Sequence, residues 1–460
     1  MAVADVAHYV RPGTALDREA YTRATSIYFP HRVLPMLPER LSNGICSLNP
    51  DLDRLAMVAE IHYDSQGRKK NYKVHEAVFK SHKRCVYEHL QEYFNDPKKL
   101  ENEYPEKTRP SLATLMDLYK KLKVQRSVRG SVELEIPEAK VIVNRGTGEV
   151  ETIIKIERAD THKMIEEFMI AANEAVSEIM IKAKQPFIFR VHEVPEEEAV
   201  LKFLNVAKNL AVEVDQKWLD EISPHMYQKL VEAVRPSPSV RVLNFMLLRS
   251  MKQAIYSAEN LKHFGLASAA YTHFTSPIRR YPDLIVHRLL KAYIHKDREA
   301  ATRAPGSEAQ TLEEAAHHCS QKERVAVDAE RELIRMKQVR HAEKHLGETH
   351  DGLIVGVNGK GIFVELTDVF LEGFVPAERL GNELQFNDQA MLLKERRSGK
   401  LFQLGDPIRV TIARTNPQLL QIELEPVAAK SPARQPPKPQ SKQAKSHVVS
   451  PRPKGKKKRR

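Results

Sequence analysis

Two adjacent arginines, Arg279 and Arg280, lie in the segment of this chain whose residue types most clearly suggest chemistry. Pro277 and Pro282 flank the pair, and each proline fixes its own φ and disfavours helical geometry in the residue before it. The sequence therefore predicts a rigid turn, followed by a helix whose apolar stripe begins at Ile285. A guanidinium held on such a turn can bind a phosphate oxyanion through two parallel hydrogen bonds. An arginine pair that only caps local carbonyl groups is the alternative.

Carboxylate and thiolate groups that could hold a metal ion are not clustered in this sequence. No string of the Asp-x-Asp-Asp kind occurs in the 460 residues. The nearest is Asp51-Leu-Asp53, beside Pro50, where a turn or a helix cap is favoured over a metal site. The cysteines are too far apart for a zinc site or a disulfide framework, which fits a reducing compartment: Cys46, Cys85 and Cys319. We predict no metal ligand in this chain.

The arginine turn must be positioned by the first 346 residues, in which helix and strand patterns are mixed. Apolar residues at spacings of three and four over Thr161–Lys184 predict a long helix with a buried stripe that includes Phe168 and Val176. The other predicted elements are a strand over 54–62, a helix over 77–94, a hairpin of 140–145 with 150–157, and a charged helix over 323–345.

Glu166 lies off the apolar stripe of the long predicted helix and shares a face with Ile170 and Asn173. A carboxylate and an amide flanked by apolar groups could bind a ribose hydroxyl. An ordinary solvated helix face is the alternative, and the spacing alone favours that alternative.

From His350 the pattern changes to short alternating strands that predict a small closed barrel of the OB kind. The strands cover 353–357, 361–366, 370–375, 408–412 and 418–424. Such barrels bind single strands by stacking bases on surface aromatic side chains beside basic groups. Phe363 and Phe374 are the stacking candidates, although one of them could fill the barrel core instead. The basic residues nearby in sequence are Lys360, Lys394, Arg396, Arg397 and Lys400.

The net charge of +13 is concentrated at the C-terminus. Residues 428–460 contain twelve of the 73 Lys and Arg residues and no Asp or Glu, which leaves 61 basic against 60 acidic residues elsewhere. This Pro-rich tail has little apolar surface to bury, so we expect it to be disordered. It could serve as an electrostatic arm for RNA or as a solubilising tail.

The start of the chain has no leader-like pattern, and no apolar stretch reaches membrane-spanning length. The sequence therefore predicts a cytoplasmic protein without a membrane partner.

Four blocks of this sequence resemble the RNase II/RNase R family of 3′→5′ exoribonucleases, closest to its RNase R branch. They are 271–283, 25–50, 161–173 and 243–266. The segment after residue 346 resembles the S1-type RNA-binding domain that follows the catalytic domain in that branch. The resemblance implies three parts: an RNB-type α/β domain over 1–346 that lacks its N-terminal edge, an all-β OB-fold over 347–427, and the tail over 428–460.

The resemblance also implies an activity, namely processive hydrolysis of single-stranded RNA from its 3′ end to nucleoside 5′-monophosphates in RNA turnover. Magnesium ions would be the cofactor. Single-stranded RNA would be the substrate, with the ribosome or the RNA-degradation machinery as further partners.

Roles for individual residues follow from the same resemblance. Arg279 would neutralise charge on the scissile phosphate, and Arg280 would support it or bind a neighbouring phosphate. Tyr28 would stack on the 3′-terminal nucleotide. Glu166 or its neighbour Glu167 would hold the RNA 3′ end. Further channel residues would be Tyr87 and Glu330, whereas many relatives have an aromatic residue where Leu134 stands.

The acidic cluster that binds the metal in this family precedes a segment like Ala4-Asp-Val-Ala-His-Tyr-Val10, with which this chain begins. We therefore expect an N-terminally truncated exoribonuclease whose metal ligands lie upstream, which leaves the activity of the chain alone open. The alternative is a non-catalytic RNA-binding remnant.

Overall fold

Residues 1–346, named the body, contain short antiparallel sheets. The computed structural model describes residues 1–134, 136, 138–144, 146–156, 158–215, 221–306, 308 and 311–427. The strands of the body are β1 (Ala2–Ala4), β2 (Ile27–Tyr28), β3 (Val33–Leu34), β4 (Asp53–Tyr63), β5 (Lys69–Lys80), β6 (Glu138–Val143), β7 (Val150–Ile156), β8 (Phe189–Val191) and β9 (Ile255–Ser257). They form one three-stranded sheet, β1-β4-β5, and the pairs β2-β3, β6-β7 and β8-β9. The predicted tail over 428–460 lies outside the described residues.

Helices make up most of the rest of the body. They are α1 (Val6–Tyr9), α2 (Ala15–Arg23), α3 (Tyr87–Asn95), α4 (Arg109–Arg129), α5 (Asp160–Lys182), α6 (Glu197–Asn209), α7 (Pro224–Val234), α8 (Val240–Ser250), α9 (Tyr281–His295), α10 (Arg298–Thr302) and α11 (Leu312–Ala342). This mixed α/β architecture agrees with the predicted fold class. None of the helices in the described part of the chain is long and apolar enough to cross a bilayer.

The helix that follows the arginine turn forms the centre of the body. Every residue of α9 from Tyr281 to Leu290 is buried. Its apolar side chains pack against α1, β4 and α5, where Val6, Met57 and Val176 contribute to the same core. The position of the arginine turn is therefore fixed by the main core, because the turn leads directly into this helix.

Several predicted elements are confirmed, and two have different bounds. The strand over 54–62, the hairpin over 140–157 and the long helix over 161–184 correspond to β4, β6-β7 and α5. The helix predicted over 77–94 is wrong in its first half, because β5 continues to Lys80 and pairs with β4, with Ala77 opposite Ala56. The helix predicted over 323–345 begins earlier, at Leu312, because Thr311 and Glu314 form a capping box there.

Residues 347–427, named the barrel, contain the remaining elements. These are β10 (Thr349–Asn358), β11 (Gly361–Leu366), β12 (Glu372–Pro376), α12 (Ala377–Leu380), β13 (Leu384–Asn387), β14 (Leu392–Glu395), β15 (Leu401–Gln403), β16 (Pro407–Asn416) and β17 (Gln421–Pro426). The five predicted strands are confirmed as a closed barrel in the order β10-β11-β12-β17-β16. The sheet β13-β14-β15 was not predicted, because its three strands have only three or four residues each.

A buried ion pair joins α2 to α9. Asp17 is 1% exposed and accepts hydrogen bonds from Arg288 Nη2 at 2.5 Å and from the Tyr281 hydroxyl at 2.7 Å. Its second oxygen accepts the Gly13 N–H at 2.9 Å. Removing one partner of such a pair leaves a buried charge without compensation.

We therefore expect Asp17→Ala to lower the free energy of unfolding by about 3–5 kcal/mol, measured by urea denaturation followed by circular dichroism. Glu19→Ala is the matched control on the same helix, since Glu19 pairs with Arg23 in solvent. We expect the control to change stability by less than about 0.5 kcal/mol. Equal effects of the two substitutions would contradict the importance of the buried pair.

Candidate functional site

The arginine turn is held by the carboxylate of Asp283, which is completely buried. Asp283 Oδ1 accepts the N–H of Ser276 at 2.7 Å, and the carbonyl of Ser276 accepts the N–H groups of Arg279 at 3.2 Å and Arg280 at 3.1 Å. One side chain from the first turn of α9 thus fixes the beginning of the turn that precedes the helix.

Arg280 is engaged by the same carboxylate. Its Nε donates to Asp283 Oδ2 at 2.8 Å and its Nη2 to Oδ1 at 2.7 Å. Burial lowers the pKa of Arg280, but Asp283 together with Tyr256 and Tyr271 more than offsets burial, so the pKa is raised. The Arg280 guanidinium therefore remains charged and is already occupied in the free protein.

Arg279 has the opposite environment. Its side chain is exposed, and its guanidinium has no hydrogen-bond or ion-pair partner among the described residues. Its carbonyl accepts the Ser26 N–H at 3.0 Å and the Thr25 hydroxyl at 3.2 Å. The backbone is thus fixed on both sides while the cationic group remains free to bind an anion.

Tyr28 and Glu330 meet close to this turn. Tyr28 ends the short strand β2 that continues from Thr25 and Ser26, and its N–H donates to Glu330 Oε1 at 2.6 Å. The Tyr28 side chain is 47% exposed, so the ring can accept a stacking partner. The structure therefore brings together three residues that are distant in sequence: Arg279, Tyr28 and Glu330.

Tyr87, the first residue of α3, and Glu166, on α5, form a second group. Tyr87 stacks on His162, with 4.2 Å between ring centroids and 21° between ring planes. His162 and Glu166 are one helical turn apart and share a face of α5. Glu166 pairs with Arg158.

The neighbour of Glu166 has a different environment. The side chain of Glu167 is 5% exposed and pairs with Arg126 at 2.9 Å, whereas that of Glu166 is 38% exposed. Burial raises the pKa of Glu167, and Arg126 opposes this effect only in part. Of the two glutamates, Glu166 is thus the more accessible to a ligand.

The hypothesis that Asn173 assists Glu166 with a ribose hydroxyl is wrong. Asn173 is 2% exposed, its Nδ2 donates to the Tyr271 hydroxyl, and its Oδ1 accepts the Phe274 N–H, both at 2.9 Å. The buried amide thus fastens the segment before the arginine turn to α5.

Phe363 and Phe374 are directly opposite each other on β11 and β12, with 5.0 Å between ring centroids. Both rings are half-buried, while the adjacent positions Ile362, Val364 and Val375 are completely buried. The two rings therefore lie together on the outer face of the barrel, and the alternative that one of them fills the barrel core is wrong.

Four neighbouring cavities form a series through shared wall residues, and Glu166 and Phe363 line two of them. A cavity of 490 Å³ beside Phe29 shares Leu420 with one of 580 Å³ beside Phe363. The second cavity shares Lys155 with one of 540 Å³ beside Glu166. The third shares the Arg126–Glu167 pair with one of 340 Å³ at the end of the series. The series thus passes from the β2-β3 hairpin and the barrel to α5.

The walls of these cavities are basic, although residues 1–427 as a whole are nearly neutral. Thirteen Lys or Arg side chains line them against seven Glu side chains. Sequence reasoning missed most of these residues. The spacing of Arg331 and Arg335 by four places on α11 was an available signal, whereas Arg126, Arg158 and Arg241 converge only through the fold.

Divalent metal ions do not fit the carboxylates that the structure describes. Asp5 pairs with Lys291 at 2.6 Å, Asp17 with Arg288, and Asp283 with Arg280. No group of three His, Cys, Asp or Glu side chains within the described ranges is arranged to hold a metal ion. Asp51 lies at a turn with φ 61° and Asp53 begins β4, which agrees with the turn interpretation of that pair.

Comparison with known protein families gives two matches. Residues 1–296 match the RNB domain, and residues 343–425 match the S1 RNA binding domain. The chain is 41% identical over 415 residues to ribonuclease R of Thermotoga maritima, which covers 90% of this chain and 58% of that protein. It is 42% identical over 422 residues to ribonuclease R of Escherichia coli, which covers 90% and 51%. The chain thus spans between half and three fifths of these curated relatives.

Solved structures show the same similarity. Mycoplasma genitalium RNase R in complex with ribose methylated single-stranded RNA superposes with a TM-score of 0.87 at 30% identity, covering 93% of this chain and 66% of that one. The complex of RNase R from the same organism with double-stranded RNA gives a TM-score of 0.80 at 29% identity, covering 93% and 70%.

The two arginines of the turn should behave differently when removed. Arg280→Ala leaves the buried Asp283 carboxylate without its cationic partner, so we expect it to lower the free energy of unfolding by about 3–5 kcal/mol. Arg279→Ala removes an exposed and unpaired group, so a change within about 0.5 kcal/mol is expected. Chemical denaturation of both variants tests this, and equal stability of the two would contradict the assignment of Asp283 to Arg280.

Proposed function

Because the chain belongs to the family of RNB-domain proteins, we propose that it is a 3′→5′ exoribonuclease that hydrolyses single-stranded RNA processively to nucleoside 5′-monophosphates, in RNA degradation and turnover. The observation that carries the proposal is the exposed Arg279 guanidinium on a turn that is hydrogen-bonded to the strand of Tyr28. Such a guanidinium can bind a phosphate without giving up an existing ion pair.

The residues near the turn have separate roles in this proposal. Arg279 stabilises the negative charge that builds on the scissile phosphate. Arg280 supports Arg279 by fixing the turn through Asp283. Tyr28 stacks on the terminal base, and Glu330 holds the backbone of Tyr28 through the bond at 2.6 Å. Stacking is independent of sequence, because every base has a π-face.

The other candidate residues act along the RNA strand. Glu166 accepts a hydrogen bond from a ribose hydroxyl, which would distinguish RNA from DNA. Tyr87 supports the same part of the path through its stack on His162. Phe363 and Phe374 stack on bases where the strand passes the barrel. The basic cavities support this path, since positively charged walls attract the phosphate backbone.

Nucleases of this family are generally metal-dependent, and we propose magnesium as the cofactor of the complete activity. The paired carboxylates of the described residues offer no site for it, so the roles above involve only the side chains of this chain.

Further partners and location follow the same proposal. We propose a cytoplasmic location and association with the ribosome or the RNA-degradation machinery. The RNB-type domain is assigned to 1–346, the S1-type domain to 347–427 and an RNA-binding arm to 428–460.

A non-catalytic RNA-binding protein is the second candidate function. The engagement of Asp5, Asp17 and Asp283 by Lys or Arg favours it, because these buried carboxylates cannot bind a cation without breaking an ion pair. The two functions share the RNA path and differ in whether a phosphodiester bond is cleaved.

Incubation of the purified chain, residues 1–460, with 5′-labelled and 3′-labelled single-stranded RNA tests the first function. Release of mononucleotides from the 3′ end that requires magnesium supports it, and would mean that carboxylates of this chain form a metal site that the described residues do not display. Arg279→Ala should reduce the rate about 10²- to 10³-fold, and the exposed Arg303→Ala should not. RNA binding without release favours the second function, and a chain that does not bind RNA contradicts both.

Salt dependence of RNA affinity tests the proposed arm. Residues 454–460 contain six Lys or Arg residues. If these six meet phosphates, their replacement by Gln should reduce the slope of log affinity against log salt by about 4. Titration of labelled RNA with the chain at several salt concentrations measures this slope. The control for changed composition is a variant with Gln in place of Ser441, Ser446 and Ser450. An unchanged slope would identify a solubilising tail.

A further inference from the structure

His273 lies beside the arginine turn and has no role in the function proposed above. Its ring is half-buried, and its Nδ1 lies 2.8 Å from the Tyr256 hydroxyl. The rings of Tyr256 and Tyr271 contact it edge-on, with centroid distances of 5.5 and 5.8 Å. The imidazole is therefore held in one orientation.

The hydrogen bond to Tyr256 determines which ring nitrogen carries the proton. Tyr256 is 5% exposed, and its hydroxyl has no other partner among the described residues. Burial raises the pKa of this phenol, so it keeps its proton. A buried O–H group without an acceptor would be costly, so Tyr256 donates to Nδ1. The neutral ring then carries its own proton on Nε2.

The same surroundings keep the ring neutral. Burial is the largest cause that lowers the pKa of His273 well below its ordinary value, and the nearby positive charges of Arg280, Arg190 and Arg279 lower it further, as does His263. Glu323 does not offset these positive charges at His273, because its carboxylate pairs with Arg190 through two hydrogen bonds of 2.5 and 3.1 Å.

His273 Nε2 is not sealed from solvent. Nε2 has no hydrogen-bond partner among the described residues. It is also absent from the completely buried side-chain atoms that lack a partner, so part of its surface is exposed. The structure thus holds an oriented, uncharged N–H donor, His273 Nε2, close enough to Arg279 for its charge to act on the ring. This N–H group remains accessible to solvent.

We infer that His273 is a further substrate-binding residue, whose Nε2–H donates a hydrogen bond to a non-bridging phosphate oxygen of the RNA strand held by Arg279. This inference rests on the proposed function. Arg279 supplies charge from a long side chain, whereas His273 supplies direction from a fixed ring. A phosphate is the fitting acceptor, because the unpaired guanidinium of Arg279 makes the site positive.

Two substitutions separate this role from a purely structural one. His273→Asn keeps an acceptor near the position of Nδ1 for the Tyr256 hydroxyl and removes the donor at Nε2. His273→Gln extends an amide N–H to the position of Nε2. Tyr256→Phe is the control that removes only the supporting hydroxyl.

The measurement is the Kd of the chain for a 5′-fluorescein-labelled 20-nucleotide oligouridylate in buffer with EDTA, together with the Tm of each variant. EDTA makes the result independent of cleavage. We expect His273→Asn to weaken binding about tenfold, as for one hydrogen bond to a charged group, with a Tm near that of the wild type. We expect His273→Gln to restore most of the affinity. If His273→Asn lowers the Tm, recovery of affinity in the Gln variant at an equally low Tm still supports a contact with RNA.

Arg279→Ala separates the inference from the function on which it rests. If His273 and Arg279 hold the same phosphate, His273→Asn should have a much smaller effect in the Arg279→Ala background. Weaker binding by Arg279→Ala with unchanged binding by His273→Asn overturns the inference alone. Binding that neither substitution alters overturns both. Equal losses of affinity in His273→Asn, His273→Gln and Tyr256→Phe would assign His273 a purely structural role and overturn the inference alone.

Discussion

The carboxylate of Asp283 is the group on which the candidate site depends most directly. It lies in the first turn of the most buried helix of the body, and it binds both the backbone at Ser276 and the guanidinium of Arg280. A buried carboxylate is stable only when its charge is compensated in this way. The two adjacent arginines therefore differ, because Arg280 is used in holding the turn. The guanidinium of Arg279 remains available to a ligand.

The helix α11 connects this turn to the rest of the candidate site. Glu323 binds Arg190 under the ring of Tyr256, and Glu330, two turns further on, binds the backbone of Tyr28. Arg335 donates to the carbonyls of Glu372 at 2.8 Å and Leu420 at 2.9 Å in the barrel. Residues 1–426 form one compact unit, and within it this helix contacts or lies beside the arginine turn, Tyr28 and the barrel.

Local patterns in the sequence predicted the fold well where neighbouring residues determine it. Alternation predicted the five barrel strands, and helical spacing predicted α5. The failures concern information from distant residues: Val78 and Phe79 belong to a strand because β4 pairs with them, and Asn173 is fastened to Tyr271 from across the core. The family resemblance identified Arg279 and Arg280 together, but only Asp283 in three dimensions distinguishes them. The basic cavity walls were missed, since Arg126, Arg158 and Arg241 come from three separate segments.

Four of the eight arginines that line the cavities pair with a glutamate. The pairs are Arg126–Glu167, Arg129–Glu174, Arg158–Glu166 and Arg241–Glu365. On the RNA path proposed above, a phosphate would exchange one anionic partner of an arginine for another, and the glutamate would pair again with the arginine when the phosphate leaves. The free energy of a bound strand would then vary little with its register, so that the strand could advance by one nucleotide without leaving a strong anion site.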